Sequence, residues 1–379
     1  MIYLDYCATT PVDSRVLEAM MPYFDTIYGN PSSRSHLYGW QAQEAVEAAQ
    51  QRIADWLGVT PHEIVFTSGA TESINMALRG FFFRHREENP HFVSAPTEHK
   101  AVLETLADLE QRHGLEVDYL PVDTQGRVHP EDVLSAIRPN TRMVILMWGN
   151  NETGVLHPIE AIAEICRSRG IVLMSDATQA AGKHLMHPRD VGVDMMALSS
   201  HKMYGPKGMG ILYVRRGVEL HPLITGGGQQ KGRRSGTLNV PAIVGMAKAV
   251  EILAQEGMEE SHRLEHLRNA IERQLVERID GVTVHGGAAE RLPHISNVGI
   301  RGVYSEDLLL ALSTKVALSA GSACNAAEVR PSHVLKAMGL SDEEALSSIR
   351  ISVGRFTTEE QINQAVDYIA EAVRTLRTR

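Results

Sequence analysis

The sequence predicts an α/β fold, with a large domain whose mostly parallel sheet is flanked by helices and a smaller α+β domain after it. Three observations predict it. Short apolar runs recur at EIVF (63–66), HFVS (91–94), MVILMW (143–148), IVLMS (171–175), DMMALS (194–199) and ILYV (211–214), and most are continuous, as in strands covered on both faces. Stretches with helical spacing lie between them. From about residue 241 the texture changes to long helical segments followed by sparser strands, and a chain of 379 residues exceeds the size at which one core stops growing.

Taken in order, helices are expected near 37–57, 71–86, 100–113 and 158–169, the last closed by Gly170 just before a strand. Beyond them the sequence predicts helices at 241–256 and 261–279 and a strand in HISNVGI (294–300). Near the C terminus Ile362, Val366, Ile369, Val373 and Leu376 recur at spacings of four and three, behind a capping box of Thr357 and Glu360. This divides the chain into an N-terminal arm (1–12) associated with the small domain, a large α/β domain (13–250) and a small α+β domain (251–379). No internal repeat or low-complexity tract interrupts them.

Hydrophobic content of 43% and charged content of 22% are ordinary for a soluble globular protein, and no run reaches the eighteen or so apolar residues of a membrane span. The start, MIYLDYCATTPVD, lacks a basic segment followed by a long apolar one, so a cytoplasmic protein without a secretory leader is expected. A formal charge of -9 argues against a nonspecific nucleic-acid binder. The basic stretch KGRR (231–234) reads as a solvated loop, with a local contact to a phosphate-rich partner as the alternative. Cys7, Cys166 and Cys324 are odd in number and lack CxxC spacing, which fits free thiols in a reducing compartment and no structural metal.

In an open parallel sheet ligands bind beyond the carboxyl ends of the strands, so the residues after each apolar run are the ones to inspect. TSGATES (67–73) follows EIVF as a glycine-containing turn into a helix, suited to a phosphate, though taken alone it reads first as a plain capped turn. Asp176 follows IVLMS, with Gln179 three residues on; a carboxylate there suits a protonated heterocyclic nitrogen or a helix cap. His201 and Lys202 follow DMMALS, and the 26 residues from Asp176 to Lys202 allow one crossover between adjacent strands. Lys202 is hemmed in by Gly205, Gly208 and Gly210, an unsuitable place for a merely solvated lysine. A phosphate cradle, a carboxylate for a ring nitrogen and a strand-end amine together are what pyridoxal 5'-phosphate requires.

Other positions fit less specifically. His99 after HFVS is suited to stacking on a ring or moving a proton, or to a structural hydrogen bond. Asn151 in WGNNETG has the same two readings. Arg350 in SIRISVGR is placed to fork onto a substrate carboxylate or to form a surface ion pair. Cys324 in LSAGSACNAAEVRP reads as the reactive thiol of an exposed, moving loop, whereas Cys166 reads as a buried filler and Cys7 as packed in the arm.

Carried by LDYCATTPVD, GNPSSRSH, FTSGATES, TEHKAV, NNETGV, DATQAAG, SSHKMYGPKG, RRSGTLN, GSACN and SSIRISVGRFT, the chain resembles, nearly end to end, the cysteine desulfurases of the NifS/IscS group. These lie in the class V aminotransferase branch of fold-type I pyridoxal-phosphate enzymes, and the GSAC segment is similar to the group with the longer cysteine loop. The resemblance implies Lys202 as the Schiff-base lysine, His99 as the ring-stacking acid/base, Asp176 on the pyridinium and Gln179 on the phenolic oxygen. It implies Ala70, Thr71, Ser199 and His201 at the phosphate, with Thr237 reaching in from the second subunit of a homodimer. Asn151 and Arg350 would orient L-cysteine, and Cys324 would take its sulfur as a persulfide, leaving L-alanine. The sulfur would pass to an acceptor protein serving iron–sulfur cluster assembly, tRNA thiolation or DNA sulfuration. Trp148 and Cys7 depart from the group's pattern and receive no role, and the chain stops after RTLRTR without the longer tail that relatives use to dock a scaffold protein. Rival expectations are a selenocysteine lyase or aminotransferase using the same lysine, or a non-catalytic sulfur-relay adaptor.

Overall fold

A computed structural model describes residues 1–184, 186–320 and 330–378. After a two-residue strand, β1 (Ile2–Tyr3), the apolar runs fold as β2 (Ile64–Thr67), β3 (His91–Ser94), β4 (Glu116–Tyr119), β5 (Thr141–Ile145), β6 (Val172–Asp176), β7 (Met195–Ser199) and β8 (Gly210–Val214). Strands β2 to β8 form one seven-stranded sheet in the order β2-β8-β7-β6-β5-β3-β4, in which β8 alone runs against its neighbours. Alternate side chains serve different cores: Met195 and Ala197 of β7 enter one, Met196 and Leu198 the other. With both faces covered, nearly every position must be apolar, so the runs read as continuous.

The two rims of this sheet are closed differently. On one, β4 (EVDY) escaped the sequence reading because its charged residues face solvent, where Arg138 pairs with Glu116 at 3.1 Å and with Asp118 at 2.5 Å. On the other, the Gln230 amide pairs with the backbone of Phe66, accepting its N–H at 2.7 Å and donating to its carbonyl at 2.9 Å. Arg233 donates to the carbonyls of His62 (2.7 Å) and Ile64 (3.3 Å). Part of the KGRR stretch is therefore bound to the sheet rather than solvated, with Gln230 and Lys231 in left-handed backbone at φ 51° and 60°.

The helices Leu37–Leu57, Ala70–His85, Lys100–His113 and Ile159–Arg169 form within a residue or so of expectation, the last ended by Gly170 at φ 66°. The two helices expected after residue 241 are one helix, Val240–Arg278, of 39 residues and about 58 Å. At Gly257, between the two expected segments, this helix passes the Gly182 carbonyl, 3.4 Å from the place a Cβ would occupy. Its first half packs in the core of the large sheet through Ala242, Met246 and Leu253. The second half enters a separate core through Leu264, Ile271 and Leu275.

That second core lies against β9 (Val282–His285), β10 (Ile295–Ile300), β12 (Ser319–Ala320) and β13 (Ser348–Ser352), an antiparallel sheet in the order β12-β13-β10-β9. The strand β11 (Val316–Ala317) pairs in parallel with β1, and Asp5 bridges to Ser352 of β13. The arm is thus stitched to the second half of the chain. The last helix, Glu359–Arg377, buries Ile362, Val366, Ile369 and Val373 as the spacing predicts. Its capping box is Thr358 with Gln361, one residue later than expected, because the Thr357 hydroxyl is taken by the Gly354 N–H at 3.0 Å. Among the described residues no helix is long and apolar enough to cross a membrane.

Candidate active site

The carboxyl ends of β2, β3, β5, β6 and β7 open on one cavity of about 590 Å³. Every expected site residue lines it except Thr237, which is exposed elsewhere on this chain, and Cys324, which lies outside the described residues.

The turn after β2 carries Gly69, at φ 155° and ψ 179°, into the helix Ala70–His85, whose first amides are capped by no side chain. Open N–H groups and the helix dipole make this end an anion site. The turn lies directly on β8: a Cβ at Gly210 would stand 2.6 Å from the Gly69 Cα. Beside it, Ser199 ends β7 and His201 holds Thr9 Oγ1 at 3.1 Å. Burial, with the charges of Lys202 and Lys207, pulls the His201 imidazole down to about 4, so it is neutral at physiological pH.

Lys202 closes a 3-10 turn, Ser200–Lys202, just beyond β7. Its ammonium donates to the carbonyls of Cys7 and, at 2.8 Å, Ala8. Burial pulls the amine down to about 8 from the usual 10.5, the nearby Arg350 charge adding to this against Asp5 and Asp176. Two residues on, Tyr204 adopts φ 61°, strained backbone for a bulky side chain. Its hydroxyl accepts the Arg355 N–H at 2.5 Å, and the Arg355 guanidinium lies 4.2 Å from its ring.

Strands β6 and β7 are neighbours, with Asp176 opposite Ala197, so the carboxylate and the lysine turn share one end of the sheet. Asp176 accepts the Thr178 N–H at 3.0 Å and forms no ion pair among the described residues. Gln179 donates to the Cys7 carbonyl at 3.0 Å. His99 caps the helix Lys100–His113, its Nδ1 accepting the Ala101 N–H at 3.1 Å, which leaves the neutral ring's proton on Nε2. Burial holds this imidazole below its ordinary value.

Arg350, on β13, is neither free for a fork nor at the surface. It is buried, donating to Asp5 Oδ1 at 2.9 Å and to the Asn151 carbonyl at 3.0 Å, while its Nε is buried without a partner among the described residues. The donor set fits pyridoxal phosphate. An uncapped helix end suits its phosphate, a buried carboxylate its ring nitrogen, and an amine of lowered basicity its aldehyde. The Thr178 hydroxyl, buried on the cavity wall without a partner among the described residues, is a further group awaiting one.

Sequence reasoning missed several groups here. The arm residues Cys7, Ala8 and Thr9 form part of the wall. Glu98 is fully buried, braces the next loop by accepting the Met147 N–H at 2.6 Å, and is pushed well above the usual range by burial. Glu152, also in the wall, accepts from the Ser332 hydroxyl at 2.5 Å, and burial raises it to about 7. Lys183 donates to the Lys202 carbonyl at 2.8 Å. The available signal was a charged residue next to each motif already singled out: Glu98 before His99, Glu152 after Asn151, Lys183 after DATQAAG.

Comparison with known proteins gives a consistent result. The model of the aminotransferase class-V family matches residues 2–365. A curated relative, cysteine desulfurase IscS of Anaeromyxobacter sp. (strain Fw109-5), is 49% identical over 378 residues, spanning 99% of this chain and 93% of the relative. A solved structure described as a NifS-like protein superposes with a TM-score of 0.92 at 37% identity, covering 99% of both chains. Another, described as SspA in complex with cysteine, gives a TM-score of 0.84 at 38% identity over 94% of this chain and 100% of its own.

Proposed function

This chain belongs to the aminotransferase class-V family, and from that premise we propose how its cavity works. It is a pyridoxal-phosphate-dependent cysteine desulfurase. When bound, pyridoxal phosphate supplies an aldehyde that condenses with amines and a protonated ring that draws electrons from the bonds at the substrate's Cα.

The chain's own groups supply the rest. The amides of Ala70 and Thr71, with Ser199 and His201, would hold the phosphate at the helix end, and Thr237 of the partner subunit would complete that shell in a homodimer. Asp176 keeps the proton on the ring nitrogen, and Gln179 holds the phenolic oxygen. The Lys202 amine would anchor the cofactor through its aldehyde and, when free, would serve as the base for the Cα proton; its lowered basicity supports both roles. His99 would stack on the ring and would move a proton through Nε2. Asn151 and Arg350 would orient the substrate, the guanidinium keeping N–H groups beyond those given to Asp5 and the Asn151 carbonyl. Cys324, as thiolate, would attack the substrate sulfur: the S–S bond of a persulfide forms as the substrate's C–S bond breaks, and the electron pair left on carbon takes up a proton on the way to L-alanine.

The division at residues 12 and 250 is part of this proposal, with the helix Val240–Arg278 as the spine joining the two larger parts. A cytoplasmic enzyme handing sulfur to an iron–sulfur assembly protein, a tRNA-thiolating enzyme or a DNA-sulfuration system completes it.

One observation carries the reading: the lysine turn and a carboxylate without an ion pair among the described residues stand on adjacent strand ends over one cavity. Its test is an absorbance spectrum of the purified protein with alanine and sulfide measured after addition of L-cysteine and a thiol reductant. Lys202→Ala should lose both the visible band and turnover. Cys324→Ala should keep the band and lose sulfide release. Sulfide release that survives Cys324→Ala, or a colourless parent protein that cannot take up the cofactor, would overturn the assignment.

A further inference from the structure

A second lysine reaches Lys202 from behind. Lys183 is the only buried lysine among the described residues. Its Nζ donates to the main-chain carbonyl of Lys202 at 2.8 Å and lies 3.5 Å from that of Ala181. No carboxylate is within ion-pairing distance of it among the described residues: Glu260, which acts on it through space, is held by Arg355 at 2.8 Å. The Lys183 carbonyl in turn accepts the Ser261 hydroxyl at 3.2 Å, fixing the residue to the helix Val240–Arg278. A buried cation without a counter-ion is costly to keep, and an apolar side chain of similar volume would fill the place more cheaply. The cost implies a use.

We infer that Lys183 is a positioning residue: it holds the Ser200–Lys202 turn by its last carbonyl, and its charge discourages a proton from settling on the Lys202 nitrogen. This rests on the proposed role of Lys202 as the cofactor's amine. The turn needs holding, because it leads within two residues into the left-handed backbone of Tyr204. The groups acting most on Lys202 are Cys7, Arg350, Asp5 and Asp176, and those acting most on Lys183 are Glu260, Cys7, Arg355 and Lys202. His201, His294 and His99 stand near as well, each held below its ordinary value by burial. Among these, Lys183 is the one cation that touches the Lys202 backbone.

The length of a lysine side chain keeps the two nitrogens within about 10 Å, where one charge shifts the other's protonation by about one pH unit. The test follows the absorbance of the bound cofactor from about pH 6 to about pH 10 in the parent, Lys183→Met and Lys183→Arg, with the melting temperature and steady-state kinetics alongside. Lys183→Met should raise the spectral midpoint by about one unit and lower kcat more than it alters KM. Lys183→Arg should restore the midpoint. If Lys183→Met lowers the melting temperature but leaves the midpoint within about 0.2 unit of the parent, Lys183 is only structural and the inference fails. Should Lys183→Met not fold, Lys183→Gln keeps a donor for the carbonyl without the charge, and an unmoved midpoint in it is equally fatal. Lys202→Ala separates the two levels. A pH-dependent band that persists in Lys202→Ala would refute the underlying role of Lys202, whatever the Lys183 variants do.

Discussion

Replacing Gly210 by alanine sets a methyl group against the backbone proposed as the phosphate cradle. The new Cβ would stand 2.6 Å from the Gly69 Cα, 2.7 Å from the Gly69 carbonyl carbon and 2.7 Å from the Leu198 oxygen. An ordinary contact begins at 3.4 Å, so the two segments must part by about 0.8 Å. Strand β8 cannot retreat, because it is paired on both sides, to β2 and to β7. Residue 69 is the end that gives, carrying the first turn of the helix Ala70–His85 with it. A displacement of about 1 Å in a positioning group costs up to roughly a hundredfold in rate, and overpacking of this kind costs about 1–3 kcal/mol of stability. The expected result is a cofactor affinity at least about tenfold weaker, equivalent to about 1.4 kcal/mol. Titration of the apo-protein with pyridoxal phosphate, followed by absorbance, measures it. Gly170→Ala is the control: φ 66° makes it strained, but no atom lies within 4 Å and it is remote from the cavity, so it should lower the melting temperature without weakening the cofactor. If Gly210→Ala binds the cofactor as the parent does, the contact between β8 and residue 69 does not set the cradle and the reasoning fails.

Two further outcomes are expected. Burial pulls His157 and His201 down to about 4 from the usual 6.5, so between those values the unfolded chain binds protons that the folded chain refuses, and stability should fall as pH drops through that window. Melting temperatures of the apo-protein across the window check this, and a flat profile would contradict it. If Thr237 serves the partner's phosphate, mixing Lys202→Ala chains with Thr237→Glu chains should restore activity, because the mixed dimer holds one site with neither defect. Mixtures no more active than the Thr237→Glu protein alone would place Thr237 in its own chain's site.

The sequence disclosed the central strands because both of their faces are covered, which forces unbroken apolar runs. It disclosed Asp176 and Lys202 because ligands gather past strand ends, so each lies immediately after such a run. What it hid was of two kinds. Edge strand β4 carries charge on its open side, and the long helix continues through Gly257, a poor helix former that is buried in the tertiary packing. The other kind depends on distant contacts. Arg350 and Asp5 are 345 positions apart, and the Cys7 carbonyl meets Lys202 from 195 positions away. No local spacing can announce such a pair. The shift of the last capping box from Thr357 to Thr358 belongs here too, since what decides it is the neighbouring Gly354 amide.

The last strand of a sheet offers unpaired amides and carbonyls to any extended peptide that drifts past, and chains of copies can grow by that route. In this protein Gln230 sits on Phe66 as one residue of a phantom eighth strand would, and Arg233 blocks the carbonyls on the same flank. Newly made molecules crowded together thus find no docking ladder on that side. The same anchor fixes where the following segment begins, seven residues before Thr237.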